Sequence, residues 1–338
     1  MKNPKKIVLI LTDDKPGHVN QSLGLAKALE SSFTVEQHKI TVLIRFKALR
    51  FVMRVIANWI PSYFLRLTLP FFYKIEGEYK GYNSPIIISS GGNTLYASIV
   101  IKALTKGLNL YSGSPKQFSP SLIDLIYSAI PLAGVPNNIV LGLPPSNISK
   151  PNGSYTKNSY ALLIGGDGAG YRYNTKDWEL MINGIHRLSE VADATWLVTT
   201  SRRSGKQIEN LLDKTLKERV VSRLVLYGRN PEKVIGHFLQ EAEIIFCTEE
   251  SLTMVSEAIY SGKKVYTLIP NEAAPDNNDS CIITSYQTSG LIERCLLSDL
   301  ATLTPSVGTQ QNLFLEIDKK ISASVTDALK RHVKNQDT

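Results

Sequence analysis

The chain has 338 residues, of which 43% are hydrophobic and 20% charged, a composition typical of a globular protein and unlike that of disordered or fibrous proteins. This length favours two domains. The net charge is +8, and residues 1–75 account for all of it, with twelve Lys and Arg side chains against four Asp and Glu. Such a local basic excess indicates a surface that meets an anionic partner.

The cysteines and the N-terminal residues indicate the cellular compartment in which the protein is expected. Cys247, Cys281 and Cys295 form neither a CxxC pair nor a zinc-spaced cluster, so a disulfide scaffold and a structural metal are not indicated. The apolar run IVLIL before Asp13 and Asp14 is too short for the core of a signal peptide. We expect a buried strand there and a cytoplasmic protein.

The first strand is followed by a charged turn that leads into a helix. Its polar residues and glycine are Asp13, Asp14, Lys15, Gly17, His18 and Asn20. A proline and a glycine alone would make this turn, so the added charge favours a function on the acceptor side of a reaction. At a helix N-terminus, His18 is expected to deprotonate a hydroxyl or contact a phosphate, with Asp13 or Asp14 orienting it or acting as the base. Alternatively, Asp14 and Asn20 cap the helix and His18 is solvated.

The segment 44–73 is apolar and aromatic but interrupted by arginines and prolines. Its longest uncharged run, Val55–Leu65, is shorter than the ~20 residues of a membrane-spanning helix. Aromatic side chains beside spaced arginines predict a helix lying in the headgroup region of an anionic membrane. The alternative is a helical hairpin packed into the first domain. Nucleic acid suits an aromatic, proline-broken segment less well.

The stretch SPIIISSGGNTLYASIVIKAL repeats the order of strand, glycine turn and helix. Its turn adds Gly91, Gly92, Asn93 and Thr94 to the candidate acceptor side. Fully buried runs such as IIIS predict a parallel sheet. Further strands are predicted near Leu108–Tyr111 and Leu125–Ser128, and a linker in the Pro-, Ser- and Asn-rich stretch 142–160. We therefore predict domains 1–150 and 151–338, and leave open whether the last helix packs back on the first domain.

The second half alternates strands and helices in the same way. Two doubly wound α/β domains facing each other across a cleft are predicted, with ligands beyond the carboxyl ends of the strands. Walker A, HExxH and GxSxG motifs are absent from the sequence, which argues against P-loop hydrolysis, zincin chemistry and serine hydrolysis.

Three turns of the second half are candidates for binding a nucleotide sugar. The residues concerned are Gly165, Gly166, Thr200, Ser201, Arg202, Arg203, Glu250, Ser251, Thr253 and Glu257. The paired arginines match phosphate oxygens, and Ser251 and Thr253 at a helix N-terminus suit a diphosphate. Glu257, one turn further along, can accept from ribose hydroxyls. The alternatives are a plain tight turn at GGDGAG, solvated arginines, and helix capping by the glutamates.

Four stretches together resemble the mitochondrial-fission, elongated-mitochondria family, whose bacterial members are regarded as glycosyltransferases of lipopolysaccharide or capsule assembly. They are DDKPGHVNQSLGLAKAL, LLIGGDGAGYRYNTKDW, VTTSRRS and CTEESLTMVSEAIYSGKKVYTL. More remotely, PGHV and SLTMVSEAIYSG are similar to parts of the lipid-linked N-acetylglucosaminyltransferase of peptidoglycan synthesis, a GT-B enzyme. That resemblance implies His18 at the catalytic cleft, Glu257 on the donor ribose, and the segment 44–73 at the membrane. Where that enzyme has a glycine-rich loop this chain has DDKP, so the acceptor side differs.

The sequence thus predicts a GT-B glycosyltransferase, peripheral on the inner membrane, that transfers a sugar from a nucleotide sugar to a glycan or lipid-linked acceptor. No metal or cofactor is expected, because a helix dipole and basic side chains can stabilise the leaving diphosphate. Two alternatives remain: a non-catalytic membrane adaptor with a GT-B-like fold, and an epimerase or hydrolase acting on a free nucleotide sugar.

Overall fold

A computed structural model describes residues 3–148, 154–308 and 313–334. The chain divides into two compact units, which are Met1–Asn147 with Leu313–Thr338 (unit 1) and Ile148–Asn312 (unit 2). The predicted boundary at residue 150 lies outside the described residues.

Unit 1 is built on a seven-stranded sheet in the order β3-β2-β1-β4-β5-β6-β7. Its strands are β1 (Lys5–Thr12), β2 (Thr34–Ile44), β3 (Tyr73–Glu76), β4 (Ile86–Ser90), β5 (Leu108–Ser112), β6 (Leu125–Ser128) and β7 (Asn138–Val140). The neighbouring strands are parallel except β3, which runs antiparallel to β2. Its first helices are α1 (Pro16–Leu29), α2 (Arg50–Trp59), α3 (Ser62–Leu65), α4 (Leu69–Phe72) and α5 (Leu95–Thr105).

Every residue of β4 is buried, as expected for a strand covered on both faces. The chain leaves β1 for β2 on one side and returns to β4 on the other, so the strand order reverses between β1 and β4. Ligands of doubly wound sheets bind at such a switch point, beyond the carboxyl ends of the strands.

Unit 2 has a six-stranded parallel sheet in the order β11-β10-β8-β12-β13-β15, and a small antiparallel pair β14-β9. Its strands are β8 (Ser159–Leu163), β9 (Tyr171–Arg172), β10 (Thr195–Thr199), β11 (Val221–Val225), β12 (Ile244–Thr248), β13 (Lys264–Ile269), β14 (Glu272–Ala273) and β15 (Glu293–Leu296). Its helices are α6 (Thr175–Ala192), α7 (Gly205–Thr215), α8 (Ile235–Glu241), α9 (Leu252–Tyr260) and α10 (Asn277–Thr288). The switch point of this sheet lies between β8 and β12.

The last helix, α11 (Leu313–Lys334), belongs to unit 1 and packs against α1. Its buried apolar residues recur every three or four positions and form one face: Ile317, Ile321, Val325 and Ala328.

The segment 44–73 folds as three short helices, α2 to α4, and not as one continuous helix. Pro61 precedes α3 and Pro70 is the second residue of α4, positions at a helix start where a missing N–H is tolerated. One side packs into the core of unit 1 through Met53, Ala57, Leu65, Leu69 and Phe72. The other side exposes Phe46, Phe51, Val52, Val55, Trp59, Ile60, Phe64, Leu67 and Phe71. Within the described residues, no helix combines the length and apolar character needed to cross a membrane.

Two Rossmann-like units with parallel sheets confirm the predicted doubly wound α/β class.

Candidate functional site

The charged turn after β1 brings a carboxylate and an imidazole together at the switch point of unit 1. Asp13 Oδ1 lies 2.8 Å from His18 Nδ1. The Asp13 side chain is only 3% exposed, whereas that of His18 is 28% exposed. Asp13 Oδ2 accepts a hydrogen bond of 2.8 Å from Asn93 Nδ2 and lies 3.6 Å from Lys15 Nζ.

These partners decide the charge of Asp13 and the tautomer of His18. Burial acts to raise the pKa of Asp13, but hydrogen bonds from His18 and Asn93 and the charges of His18 and Lys15 outweigh it and lower the pKa to about 2. An ionised carboxylate only accepts hydrogen bonds, so His18 Nδ1 carries the proton that points at Asp13. In a neutral imidazole of this tautomer, the lone pair is on the other ring nitrogen, Nε2, which is the form of a general base.

The glycine turn after β4 closes over this imidazole. Gly91 has a φ of +81°, and any Cβ at this position would overlap the His18 ring. Only glycine meets both demands, the left-handed backbone and the close approach. Asn93, two residues later, makes the bond to Asp13, so the two turns form one site.

The other predicted acceptor-side residues have different surroundings. The Asp14 carboxylate is 53% exposed and pairs with Lys39 at 3.2 Å, so Asp13 and not Asp14 contacts the imidazole. Thr94 is buried and its hydroxyl donates to carbonyl oxygens of its own turn, those of Ser90 and Gly91.

Asn20 contacts the chain that leaves unit 1. Its amide donates to Ser146 Oγ and its Oδ1 accepts from the backbone N–H of Asn147. Gly17 lies in the first turn of α1, a helix whose start has no side-chain cap, and Gly92 is exposed with open space beside it. The backbone N–H groups of this helix start are therefore available to an acceptor.

In unit 2, the predicted turns after β8 and β12 meet at the switch point. A Cβ at Gly165 would overlap Glu250 Oε1, and the Gly165 carbonyl accepts from Ser201 and Ser204 hydroxyls. Gly166, with a φ of +112°, lies against the Arg203 backbone. The glycine turn, the end of β10 and the start of α9 thus form one packed cluster.

Glu250 is at the centre of this cluster and its side chain is fully buried. Burial raises its pKa, while Tyr173, Arg203 and Thr248 oppose that rise. Tyr173 donates to Oε2 at 2.8 Å, and Arg203 Nη2 lies 3.2 Å from Oε1. The Arg203 side chain is 42% exposed, so Glu250 anchors a guanidinium that solvent still reaches.

Glu249, the neighbour of Glu250, has its own set of hydrogen-bond partners, which the sequence did not indicate. Arg294 donates to both of its oxygens, at 2.8 and 2.6 Å, and the hydroxyls of Tyr171 and Thr267 donate to it as well. Neither Glu249 nor Glu250 caps α9, since both side chains point into the sheet. The tyrosines stand within the quoted GYRYN stretch, whereas Arg294 carries no sequence signal.

The remaining residues predicted to bind the nucleotide sugar differ in their exposure. Thr200 is buried and donates to Glu209, whereas Arg202 is exposed. Ser251 is the N-cap of α9 without a side-chain bond to the helix, and Thr253 and Glu257 are half-buried on the first turns. An uncapped helix start offers N–H groups and a positive dipole end to an anion.

Comparisons with known proteins address the fold and the family. Across solved structures, 195 chains match. UDP-GlcNAc 2-epimerase from Methanocaldococcus jannaschii is 13% identical, with 95% of this chain and 99% of that one covered and a TM-score of 0.55. The MnaA–UDP co-structure from S. aureus is 12% identical, with 97% and 89% covered and a TM-score of 0.52. MurG from Acinetobacter baumannii is 12% identical, with 99% and 100% covered and a TM-score of 0.46.

The likenesses at TM-scores of 0.52 and 0.55 support the predicted GT-B fold class. No protein of curated function matches the sequence significantly. The family model described as Mitochondrial fission ELM1 matches residues 16–277, which is more than half of the chain. The chain therefore belongs to the mitochondrial fission ELM1 family.

Proposed function

We propose that the chain is a glycosyltransferase that transfers a sugar from a nucleotide-sugar donor to a glycan or lipid-linked acceptor of the cell surface, in lipopolysaccharide or capsule assembly. The observation that carries this proposal is the Asp13–His18 pair, whose geometry leaves Nε2 as a base at the switch point of unit 1. A transferase needs such a group to take the proton of an acceptor hydroxyl.

In the proposed reaction, the acceptor oxygen forms a bond to the anomeric carbon while the bond from that carbon to the diphosphate oxygen breaks. His18 Nε2 receives the hydroxyl proton, and the buried Asp13 carboxylate stabilises the imidazolium. The leaving nucleoside diphosphate carries the negative charge. Arg202, Arg203 and the start of α9 supply donors and positive potential for it, so we propose that no metal or cofactor is required.

The donor's nucleotide would lie on α9. Ser251 and Thr253 would bind the diphosphate, and Glu257 would accept from the ribose hydroxyls. UDP is the first nucleotide to test, because the S. aureus structure of similar fold holds it.

The second part of the proposal concerns a membrane. The segment 44–73 exposes a row of large apolar side chains, and Trp59 is 83% exposed. The exposed Arg50 and the half-buried Arg54 lie on the same segment, within the basic first 75 residues. Apolar anchors beside arginines suit the interface of an anionic membrane. We propose a peripheral position on the inner membrane, facing the cytoplasm, where a lipid-linked acceptor resides.

A second candidate is a nucleotide-sugar epimerase or hydrolase. It is favoured by the likeness to the M. jannaschii epimerase, at a TM-score of 0.55. Such an enzyme acts on a free nucleotide sugar and needs no lipid surface, so it leaves the exposed apolar row of segment 44–73 without a role.

Nucleotide binding is tested first, by thermal unfolding with UDP, GDP, CMP and dTDP. A ligand that binds only the native state raises the melting temperature. We expect one nucleotide to do so, and Thr253→Val and Glu257→Gln to reduce the rise. Glu179→Gln on α6, an exposed glutamate with the same charge change, is the matched control. No rise with any nucleotide would favour the non-catalytic adaptor.

The reaction is then followed by NMR of the nucleotide sugar, with and without vesicles made from bacterial membrane lipids. Nucleoside diphosphate release that needs the vesicles and is lost in His18→Asn supports the transferase. Free sugar without vesicles indicates a hydrolase, and a new C2 epimer indicates an epimerase. Either of these two results contradicts the main proposal.

A further inference from the structure

The segment 44–73 is connected to the Asp13–His18 pair by a chain of hydrogen bonds through Asn93. Arg50 Nη2, in the first turn of α2, donates to Asn93 Oδ1 at 2.8 Å. Asn93 Nδ2 donates to Asp13 Oδ2 at 2.8 Å, and Asp13 Oδ1 holds His18 Nδ1 at 2.8 Å. The order of the chain is thus Arg50, Asn93, Asp13, His18.

The backbone of Asn93 is fixed by the same segment. The Tyr73 hydroxyl donates to the Asn93 carbonyl at 2.7 Å, and Tyr73 is buried with its ring stacked on Tyr96. Asn93 is therefore held at its side chain by the first residue of α2 and at its backbone by the last residue of segment 44–73. The amide nitrogen of the same side chain donates to Asp13.

We propose that Asn93 is a positioning residue of the Asp13–His18 pair, and that Arg50 and Tyr73 make its placement depend on segment 44–73. The assignment of His18 as a base rests on the proposed function, but the positioning itself is a property of the free protein. Asn93 occupies one oxygen of Asp13 and so directs the other at Nδ1. Without Asn93, Oδ2 keeps only the 3.6 Å contact with Lys15 Nζ, so the carboxylate is held less firmly against Nδ1.

The chain offers a matched pair of arginines for the test. Arg50 and Arg54 stand one helical turn apart on α2; Arg50 is exposed and Arg54 is half-buried. The Arg54 guanidinium bonds to Gln117 and to the Arg50 carbonyl, and has no bond to Asn93. Arg50→Ala and Arg54→Ala each remove one positive charge from the same surface, and only the first removes a bond to Asn93.

The experiment measures the ¹⁵N shifts of the His18 ring at mildly alkaline pH, where imidazole is neutral. The protein is uniformly labelled, and His18→Gln assigns the signals among the five histidines. We expect an Nδ1–H tautomer in the wild type and in Arg54→Ala, and a shift towards Nε2–H in Asn93→Ala and Arg50→Ala. If Asn93→Ala does not fold, Tyr73→Phe removes one hydroxyl and keeps the packed ring.

Identical His18 ring shifts in the wild type and the Asn93 variant would overturn the proposal, including the case where only the melting temperature falls. A tautomer change in a protein that binds no nucleotide would retain the positioning and refute the transferase. With an active transferase, Arg54→Ala is the charge-matched reference, and Arg50→Ala should have a kcat about 10-fold below that of Arg54→Ala at the same donor KM.

Discussion

The replacement Asp13→Asn tests the proposed role of the Asp13–His18 pair through stability and activity together. In the wild type, the environment of Asp13 lowers the pKa of its carboxyl group from 3.8 to about 2. The Asp13 side chain is 3% exposed, so solvent screens its interactions with its partners little. This difference corresponds to about 2 kcal/mol of folding free energy at neutral pH. The wild type should therefore be about 2 kcal/mol more stable than Asp13→Asn at pH 7.

The pH dependence has a definite sign. Because the pKa is lower in the folded state, the contribution is complete above the unfolded pKa of 3.8 and disappears as the pH falls through about 2. About 1 kcal/mol should remain at pH 3. Urea unfolding followed by circular dichroism at both pH values measures the difference. Transferase activity should fall about 10²-fold or more, because the asparagine amide favours the wrong tautomer.

Asp14→Asn is the control, since Asp14 is 53% exposed and asparagine tolerates its φ of +58°. Its effect on stability should stay below about 0.5 kcal/mol. A stability gap between wild type and Asp13→Asn that is absent at pH 7, or that does not narrow in acid, would refute the reasoning.

Three further predictions concern other parts of the molecule. Gly91→Ala places a methyl group where it overlaps the His18 ring, at a φ of +81°. Initial rates should show a kcat about 100-fold lower, and urea unfolding a loss of about 1–2 kcal/mol of stability. Trp59→Ala removes a side chain that is 83% exposed, so sedimentation with anionic vesicles should show up to about 30-fold weaker binding at an unchanged melting temperature. Arg294→Met leaves Glu249, whose side chain is fully buried, without its bidentate partner; urea unfolding should show a loss of about 3–5 kcal/mol.

Each of these has a contrary outcome. Full activity in Gly91→Ala would mean that His18 can move without loss. Vesicle binding that falls equally in Val191→Ala, an exposed valine of α6, would show that Trp59 has no special part. Wild-type stability in Arg294→Met would mean that the hydroxyls of Tyr171 and Thr267 are sufficient partners for Glu249.

The alternation of strands and helices could be predicted because its signals are local. Buried runs such as Ile86–Ile88 and the glycine turns after them are readable from a few neighbouring residues. The same reading placed ligand residues at the carboxyl ends of β1, β4, β8 and β12, since topology alone brings these ends together in a parallel sheet.

Which of the two aspartates, Asp13 or Asp14, contacts His18 could not be predicted in this way. It depends on the left-handed backbone of Asp14 and on Asn93, which stands 80 residues further along the chain. The inward direction of Glu249 depends on Arg294, 45 residues away. The apolar pattern of segment 44–73 predicts one helix at a surface. The structure has three short helices there, because the prolines interrupt the helix.

The position of α11 has a consequence for how the protein is made. Unit 2 is continuous in sequence, so all of its strands can pair as soon as they leave the ribosome. Unit 1 must wait for its last helix, because Ile317, Ile321 and Val325 complete its interior only after unit 2 has been synthesised. Until then, the charged turn Asp13–His18 leads into a helix, α1, that still lacks its contact with α11. Unit 1 begins to be translated first, but its folding is completed last.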